Sequence, residues 1–343
     1  MSIVPIKIMQ WTPEFSLHNE VVDQEHKALF NTINLLHEAM LAGQGTKVLE
    51  RVLAAEMRFA EIHFDHEEQL MAEVDYPELR AHTQQHVEQR KRFHEMAQRF
   101  ERGEKSITIE YMLLLSEWAK VHTMVEDRKF GEYVKAQRDF KAYLDPLLLG
   151  NYRECSIVVQ RLLSEGISIK DLYVNIFQRA MYYAGELWMK NQISVATEHL
   201  ASSITLRTMS MVQPQLLDSP RNGKKAVIAC VCGELHKIGA RMVSDTLELG
   251  GWDSYFLGAN TPIKDLLDLL GKKQPQLLCL SVTLSSHLDH FQETVKKTRA
   301  RFPNLDILVG GLALQTSQVA IAKDAHLHYL RTLDELERWI ASR

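Results

Sequence analysis

Nine of the fifteen histidines fall before residue 130: His18, His26, His37, His63, His66, His82, His86, His94 and His122. Imidazole is the commonest transition-metal ligand, so this bias points to a metal site. Three pairs stand at close helical spacing. His63 and Glu67 are four apart, as are His82 and His86, while His122 and Asp127 are five apart. A separation of four places two side chains on one helix face, one turn apart. His26 adds a single ligand. Five imidazoles and two carboxylates suit two metal ions, because carboxylates can bridge and nitrogens can complete the shells. Five nitrogens leave one ion short of a ligand, and on a redox-active iron that open position is where dioxygen would go. Zinc is disfavoured, since a closed tetrahedral site needs only four ligands and usually some thiolate.

A second group lies in Cys232-Gly233-Glu234-Leu235-His236-Lys237-Ile238-Gly239. His236 would sit in a loop beyond a strand end, exposed and able to ligate. Glu234 can accept its other ring N–H, which orients a metal-bound imidazole and raises its basicity. Gly239 would let a bulky group approach the backbone. Ser281 and Thr283, then Gly310 and Gly311, end two further apolar runs and would line a slot beside them.

The elements that must position these residues follow from periodicity. Apolar residues recur every three or four positions over four long segments: about 18–42, 45–73, 77–102 and 107–136. Their short connections imply an up-down four-helix bundle, preceded by an extended arm with Trp11. A helical block covers about 140–215, with helices over Tyr152–Ser164, Lys170–Trp188 and Val195–Gln213. From 224 onward, apolar runs alternate with amphipathic helices. The runs are Ala226–Val231, Ser254–Leu257, Leu277–Leu284, Asp306–Val309 and one near His328; the helices include Ile263–Leu270 and Gln315–Ala322. Five such units predict a doubly wound parallel sheet, which binds ligands beyond its C-terminal strand ends. The expected domains are 1–137, 138–220 and 221–343.

Trp11, Val22-Asp23-Gln24-Glu25-His26, His63-Phe64-Asp65-His66-Glu67-Glu68-Gln69-Leu70-Met71, Tyr76-Pro77, His82, His86, Trp118, His122 and Asp127 form one series. This series resembles a bacterial hemerythrin over roughly the first 137 residues. The resemblance implies a non-haem di-iron centre that binds dioxygen reversibly. It implies His82, His86 and His122 on the saturated iron, His26 and His63 on the iron with the open site, and Glu67 and Asp127 as bridges. His18, His37 and His94 are expected to be solvated or interfacial, and His66 to point elsewhere. Trp11 and Trp118 are expected to pack, and Asp65 and Glu68 to be solvated charges.

The loop residues, in their order, resemble the cobalamin-binding fold with the pattern Asp-x-His-x-x-Gly, then Ser-x-Leu, then Gly-Gly. Glu234 stands for the aspartate and Thr283 for the leucine. This implies His236 as lower axial ligand to cobalt, with the nucleotide tail threaded past Gly239, Ser281, Thr283 and Gly310. Trp188, nine residues, then Glu198-His199 resembles the cap of the light-responsive, adenosylcobalamin-dependent regulators of the MerR type. That likeness implies an upper pocket of Trp188, Glu198 and His199. Those regulators carry an N-terminal winged-helix domain, in whose place the bundle stands here. Some also carry a histidine after the cap tryptophan, where this chain has Met189.

The 343 residues, 45% hydrophobic and 24% charged, describe an ordinary globular chain too long for a single core. A net charge of −4 gives no basic excess for nucleic acid. No apolar run approaches the ~18–20 residues of a membrane span, and the N-terminus has no signal-peptide h-region. Four cysteines without disulfide or zinc spacing fit a reducing cytoplasm. The expected function is a cytoplasmic sensor that couples dioxygen and light, signalling through homo-oligomerisation or a downstream protein. A di-iron and cobalamin enzyme (a methyl carrier, or one reducing dioxygen or peroxide) is the rival expectation, and dioxygen storage a third.

Overall fold

Apolar stripes account for the N-terminal helices, and local chemistry sets their ends. A computed structural model describes residues 8–104, 107–316 and 324–343. The chain divides into two compact units, Met1–Asp139 and Phe140–Arg343. In the first, α1 (Glu20–Leu41) begins where the Asn19 side chain accepts from the Val21 and Val22 amides. That cap satisfies amides that would have no partner within the helix. Helix α2 (Gly45–Glu73) stops before Asp75, whose φ of 51° ends the helix ahead of Tyr76-Pro77. Helices α3 (Leu79–Glu101) and α4 (Ile107–Val121) follow.

The fourth helix is not the uniform element that periodicity predicts. Residues His122–Glu126 form a π-helical turn between α4 and α5 (Asp127–Leu148). Helix α5 runs past the expected end near 136, because Phe140, Tyr143, Leu144 and Leu147 continue a buried stripe. The four helices close over Leu29, Phe30, Ile33, Leu49, Phe64, Phe93, Tyr111 and Leu115. In the arm, Met9 donates its amide to Asn34 Oδ1 at 3.0 Å and accepts from Asn34 Nδ2 at 2.7 Å.

The second unit combines a helical layer with a sheet. The layer holds α6 (Tyr152–Ser164), a short α7 (Ile169–Asp171), a π-helical stretch Leu172–Gln178, α8 (Arg179–Met189), α9 (Val195–Met209) and α10 (Gln213–Leu217). Its core includes Tyr143, Leu162, Leu172, Ile176 and Phe177. Each apolar side chain fully buried there stabilises the fold by ~1.5–3 kcal/mol.

Five strands follow: β1 (Lys225–Cys230), β2 (Asp253–Gly258), β3 (Leu277–Ser281), β4 (Asp306–Gly310) and β5 (Leu327–Tyr329). They pair in parallel in the order β2-β1-β3-β4-β5. This is the expected doubly wound sheet. Helices α11 (Ile238–Leu249), α12 (Ile263–Lys273), α13 (Leu288–Arg301), α14 (Leu312–Thr316) and α15 (Leu333–Ala341) connect and flank the strands. Strand β3 ends at Ser281 rather than at the predicted Leu284, since the amides of Thr283 and Leu284 turn to the Glu234 side chain, while that of Val282 still donates to Gly310 O. Most of the helix expected over Gln315–Ala322 lies outside the described residues.

Helical layer and sheet are tied at one end. The Tyr173 hydroxyl donates to buried Asp245 of α11 at 2.6 Å, and Arg241 Nε donates to the same carboxylate at 2.6 Å. Lys170 reaches Asp334 at 2.8 Å and Glu337 at 2.9 Å on α15.

Candidate metal centre and cofactor loop

In the bundle, His26, His63, Glu67, His82, His86, His122 and Asp127 are all buried, on α1, α2, α3, the π-turn and the start of α5. Their ligand atoms gather in two groups: Glu67 with His82, His86 and His122, and His26 with His63 and Asp127. The spacing of five between His122 and Asp127 would put them on different faces of an α-helix. The π-turn between them widens the coil to an i→i+5 closure and turns both inward. His122 Nε2 then stands 3.2 Å from Asp127 Oδ1.

His26 Nε2 and His63 Nε2 are 3.2 Å apart, and His86 Nε2 and His122 Nε2 are 3.1 Å apart. Glu67 Oε2 is 3.3 Å from both His82 and His86, and Asp127 Oδ2 is 3.3 Å from His26. Ligands ~2.1 Å from one ion at right angles stand about 3.0 Å apart, so these separations fit the edges of metal coordination shells.

The polar bookkeeping agrees. Glu67 Oε1 and both Asp127 oxygens have no hydrogen-bond partner among the described residues, although buried polar groups are normally paired. Burial and the charge of Glu67 push the Asp127 carboxyl well up. Against its own burial, hydrogen bonds from His82 and His86 hold Glu67 well down. Two carboxylates so placed repel one another, and cations between them would relieve both. The donor set therefore fits a pair of iron ions.

Around these groups lies a second layer. Glu25 accepts from His63 Nδ1 at 2.9 Å and from His66 Nδ1 at 2.7 Å. Glu68 accepts from His86 Nδ1 at 2.8 Å. Such partners fix ring orientation and leave Nε2 free to ligate. The expectation that Glu68 is merely a solvated charge is thus corrected: it reaches across to α3. Asp65, 74% exposed, pairs with Arg90. His66 is half exposed and points away from the ligand cluster, yet shares Glu25 with His63. Phe59 stacks on His63, Phe64 on His86 and Trp118 on His122. Trp11 packs near Phe15, His26 and Phe30.

In the second unit, Glu234 is wholly buried in the loop after β1. Its Oε1 accepts from the His236 amide at 3.0 Å and from His236 Nδ1 at 2.5 Å. Its Oε2 accepts from the Thr283 and Leu284 amides at 2.8 and 3.0 Å and from His287 Nδ1 at 3.2 Å. Burial opposes the charge, but these hydrogen bonds outweigh it and hold the carboxyl far below its usual range. The hydrogen bond to Glu234 pushes His236 up, and the charge of Glu198, in the first turn of α9, adds to this.

His236 is half exposed. Nearby loops show bare apolar groups, with Leu235, Leu284 and Leu312 following the C-terminal ends of β1, β3 and β4. On the helical layer, Trp188 is 47% and His199 74% exposed, and Glu198 accepts from Ser202 at 2.9 Å. Trp188 makes no ring contact among the described residues.

The glycines divide into two kinds. A Cβ on Gly239 would meet nothing within 4 Å, which leaves room for a bulky group, and one on Gly310 would sit 3.3 Å from Leu330 O. Gly311, at φ +118°, would place a Cβ 2.1 Å from Val282 O. Replacing Gly311 with alanine should therefore destabilise the second unit by roughly 3 kcal/mol or more, from backbone strain plus the clash. Thermal melts should show the loss, and wild-type stability in that variant would contradict this packing. His287 was not singled out in the sequence, and no spacing announces it; its ring also stands 3.3 Å from where a Gly233 Cβ would be.

Comparison with known proteins matches this geometry to families. Residues 17–134 match the hemerythrin HHE cation-binding domain, and residues 140–213 and 224–330 match two B12-binding domain models. A bacteriohemerythrin of Stenotrophomonas maltophilia is 33% identical over 129 residues, 38% of this chain and 83% of the relative. The HTH-type transcriptional repressor CarH of Myxococcus xanthus is 28% identical over 156 residues, 45% of this chain and 51% of the relative. The chain thus spans about half the length of that repressor. The monomethylamine corrinoid protein of Methanosarcina barkeri shares the fold, with a TM-score of 0.53 at 15% identity over 60% of this chain and 98% of that one. Through its N-terminal domain the chain belongs to the bacterial hemerythrin family, with B12-binding domains following in the same polypeptide.

Proposed function

We propose that this protein is a cytoplasmic sensor in which a dioxygen-binding di-iron bundle is joined to a light-responsive adenosylcobalamin module. Its domains would be residues 1–137, 138–220 and 221–343. Bound iron would supply reversible dioxygen binding, and bound adenosylcobalamin a light-cleavable cobalt–carbon bond. His82, His86 and His122 would hold one iron, His26 and His63 the other, with Glu67 and Asp127 shared between them. Phe59, Phe64 and Trp118 cover the imidazole faces and keep water from them. Glu234 holds the Nδ1 edge of His236, so Nε2 would be the atom that ligates cobalt. Gly239, Ser281, Thr283, Gly310 and Gly311 would take the nucleotide tail, and Trp188, Glu198 and His199 the upper face. No described helix is long and apolar enough to cross a membrane.

Two observations support this reading: the charge of Glu198 reaches His236, and the helical layer leaves Trp188 half exposed. A ligand sandwiched there would touch both layers, and a change in that ligand would alter how they meet. Such a change could pass to homo-oligomer contacts or to a downstream protein. Coupling to the iron site must be reciprocal in binding free energy.

The test uses full-length protein loaded with iron and adenosylcobalamin in the dark without dioxygen. Absorbance and molecular mass are recorded before and after green light, and again after air. A light-induced change in mass or shape, together with a dioxygen affinity that differs between dark and lit protein, is expected. Turnover of a methyl donor with neither change would replace the sensor with an enzyme.

A further inference from the structure

On the inward face of α2, the residues flanking the candidate ligands run Leu53, Glu56, Ala60, His63 and Glu67, all buried. Glu56 is out of place in that stripe. It is 1% exposed, lies two helical turns from His63, about 10 Å along the axis, and Ala60 is the small residue between them. Its Oε2 has no hydrogen-bond partner among the described residues. The Thr32 hydroxyl of α1, which donates to Ala28 O at 3.1 Å, lies near the carboxyl, and Tyr111 of α4 feels its charge. The Tyr111 hydroxyl and Gln89 Nε2 are likewise buried without partners among the described residues. Gln89 lies one turn beyond His86 on the inward face of α3. Polar atoms therefore lie on the inward faces of three helices, on one side of the ligand cluster.

Unpaired buried polar atoms are normally satisfied by internal water, which needs two to four polar partners. We propose that Glu56, Tyr111 and Gln89 bind a small water cluster over Ala60, and that Glu56 is the internal acid that delivers protons along it to the metal chamber. This rests on the di-iron reading. Burial pushes the Glu56 carboxyl up to about 8 despite the nearby Thr32 hydroxyl, so the acid keeps its proton at neutral pH. Tyr111, pushed well above its ordinary range by burial and by Glu56, also stays neutral.

The reaction served is the loss of dioxygen as hydrogen peroxide. Bound ferrous iron would supply the two electrons that this loss requires, one from each ion, and the chain would supply the two protons. The Glu56 O–H bond breaks to send a proton along the water chain toward the metal chamber and re-forms with a proton taken up from solvent; the second proton follows the same route.

The test compares full-length wild type with Glu56→Gln and Glu56→Leu. Iron content, the rate of peroxide release from the dioxygen-loaded protein, and the infrared carbonyl band of a protonated carboxylic acid in iron-free protein are measured. Two irons per chain are expected in all three proteins. The wild-type-minus-variant difference spectrum should show a Glu56 carbonyl band for both variants, beyond the band that protonated Asp127 gives in all three proteins. Peroxide release should slow at least ten-fold in both, including Glu56→Gln, which keeps size and hydrogen bonding but has no proton to give. Unchanged release in Glu56→Gln, or no such band in the difference spectrum, overturns the proposal alone. Failure of wild type to take up iron overturns the di-iron reading and this proposal with it.

Discussion

Replacing Glu234 with alanine is expected to weaken cobalamin binding by the full chain ten- to hundred-fold and to shift the absorption spectrum of the bound cofactor. Partners of a metal-ligating histidine are worth about that much. Glu234 does more than orient His236. One buried carboxylate accepts from three backbone amides and two imidazoles, and so fixes the loop after β1 against the loop after β3. Removing it leaves the Thr283 and Leu284 amides without their acceptor, at about 1–3 kcal/mol each.

The same variant has a pH signature. The carboxyl is held below its ordinary value of 4.5 in the folded chain. The stabilisation it provides is therefore complete above the unfolded value and is lost as pH falls through the folded one. Wild type should lose stability on acidification below about pH 4.5 more steeply than Glu234→Ala. Titration calorimetry with cobalamin checks the affinity, and denaturant melts at several pH values check the slope. Unaltered affinity would remove Glu234 and His236 from the cofactor site.

Much of this architecture was visible in sequence because it rests on local periods. The i, i+4 pairs His63/Glu67 and His82/His86 announce one face of a helix, and the β-rich runs after 224 announce the parallel sheet. The pair His122/Asp127 was visible as residues but not as geometry. A spacing of five is wrong for an α-helix, and only the π-turn makes it inward-facing. The roles of Glu25, Glu68 and His287 were not legible, because each acts on a residue of another element. Glu25 and Glu68 each adjoin a ligand in sequence and so turn away from it on their own helices. Each acts instead on a histidine of the neighbouring helix, and no spacing within one helix carries that information. His287 acts across two loops, whose path no local pattern fixes. Glu56 sits on an inward stripe where periodicity expects an apolar residue, and that mismatch was the available signal.

Asp127→Asn is expected to reverse the order of stability with and without iron. Folding brings Asp127 beside Glu67 with no hydrogen-bond partner for either of its oxygens among the described residues. Burial and the charge of Glu67 oppose ionisation there. Asparagine has the same shape and no charge, so the iron-free variant should melt above iron-free wild type at neutral pH. Iron inverts the comparison. An ion binding only the folded state at a thousand times its Kd stabilises by about 4 kcal/mol. For a unit of this size, that raises Tm by roughly 10–20 °C. Asparagine cannot bridge two cations as a carboxylate does, so the variant should lose most of that gain and melt below the iron-loaded wild type. Calorimetric melts of both proteins, with and without ferrous iron, decide the matter. A wild type whose bundle melts at one temperature in both conditions would mean that these buried carboxylates and imidazoles are not a metal site.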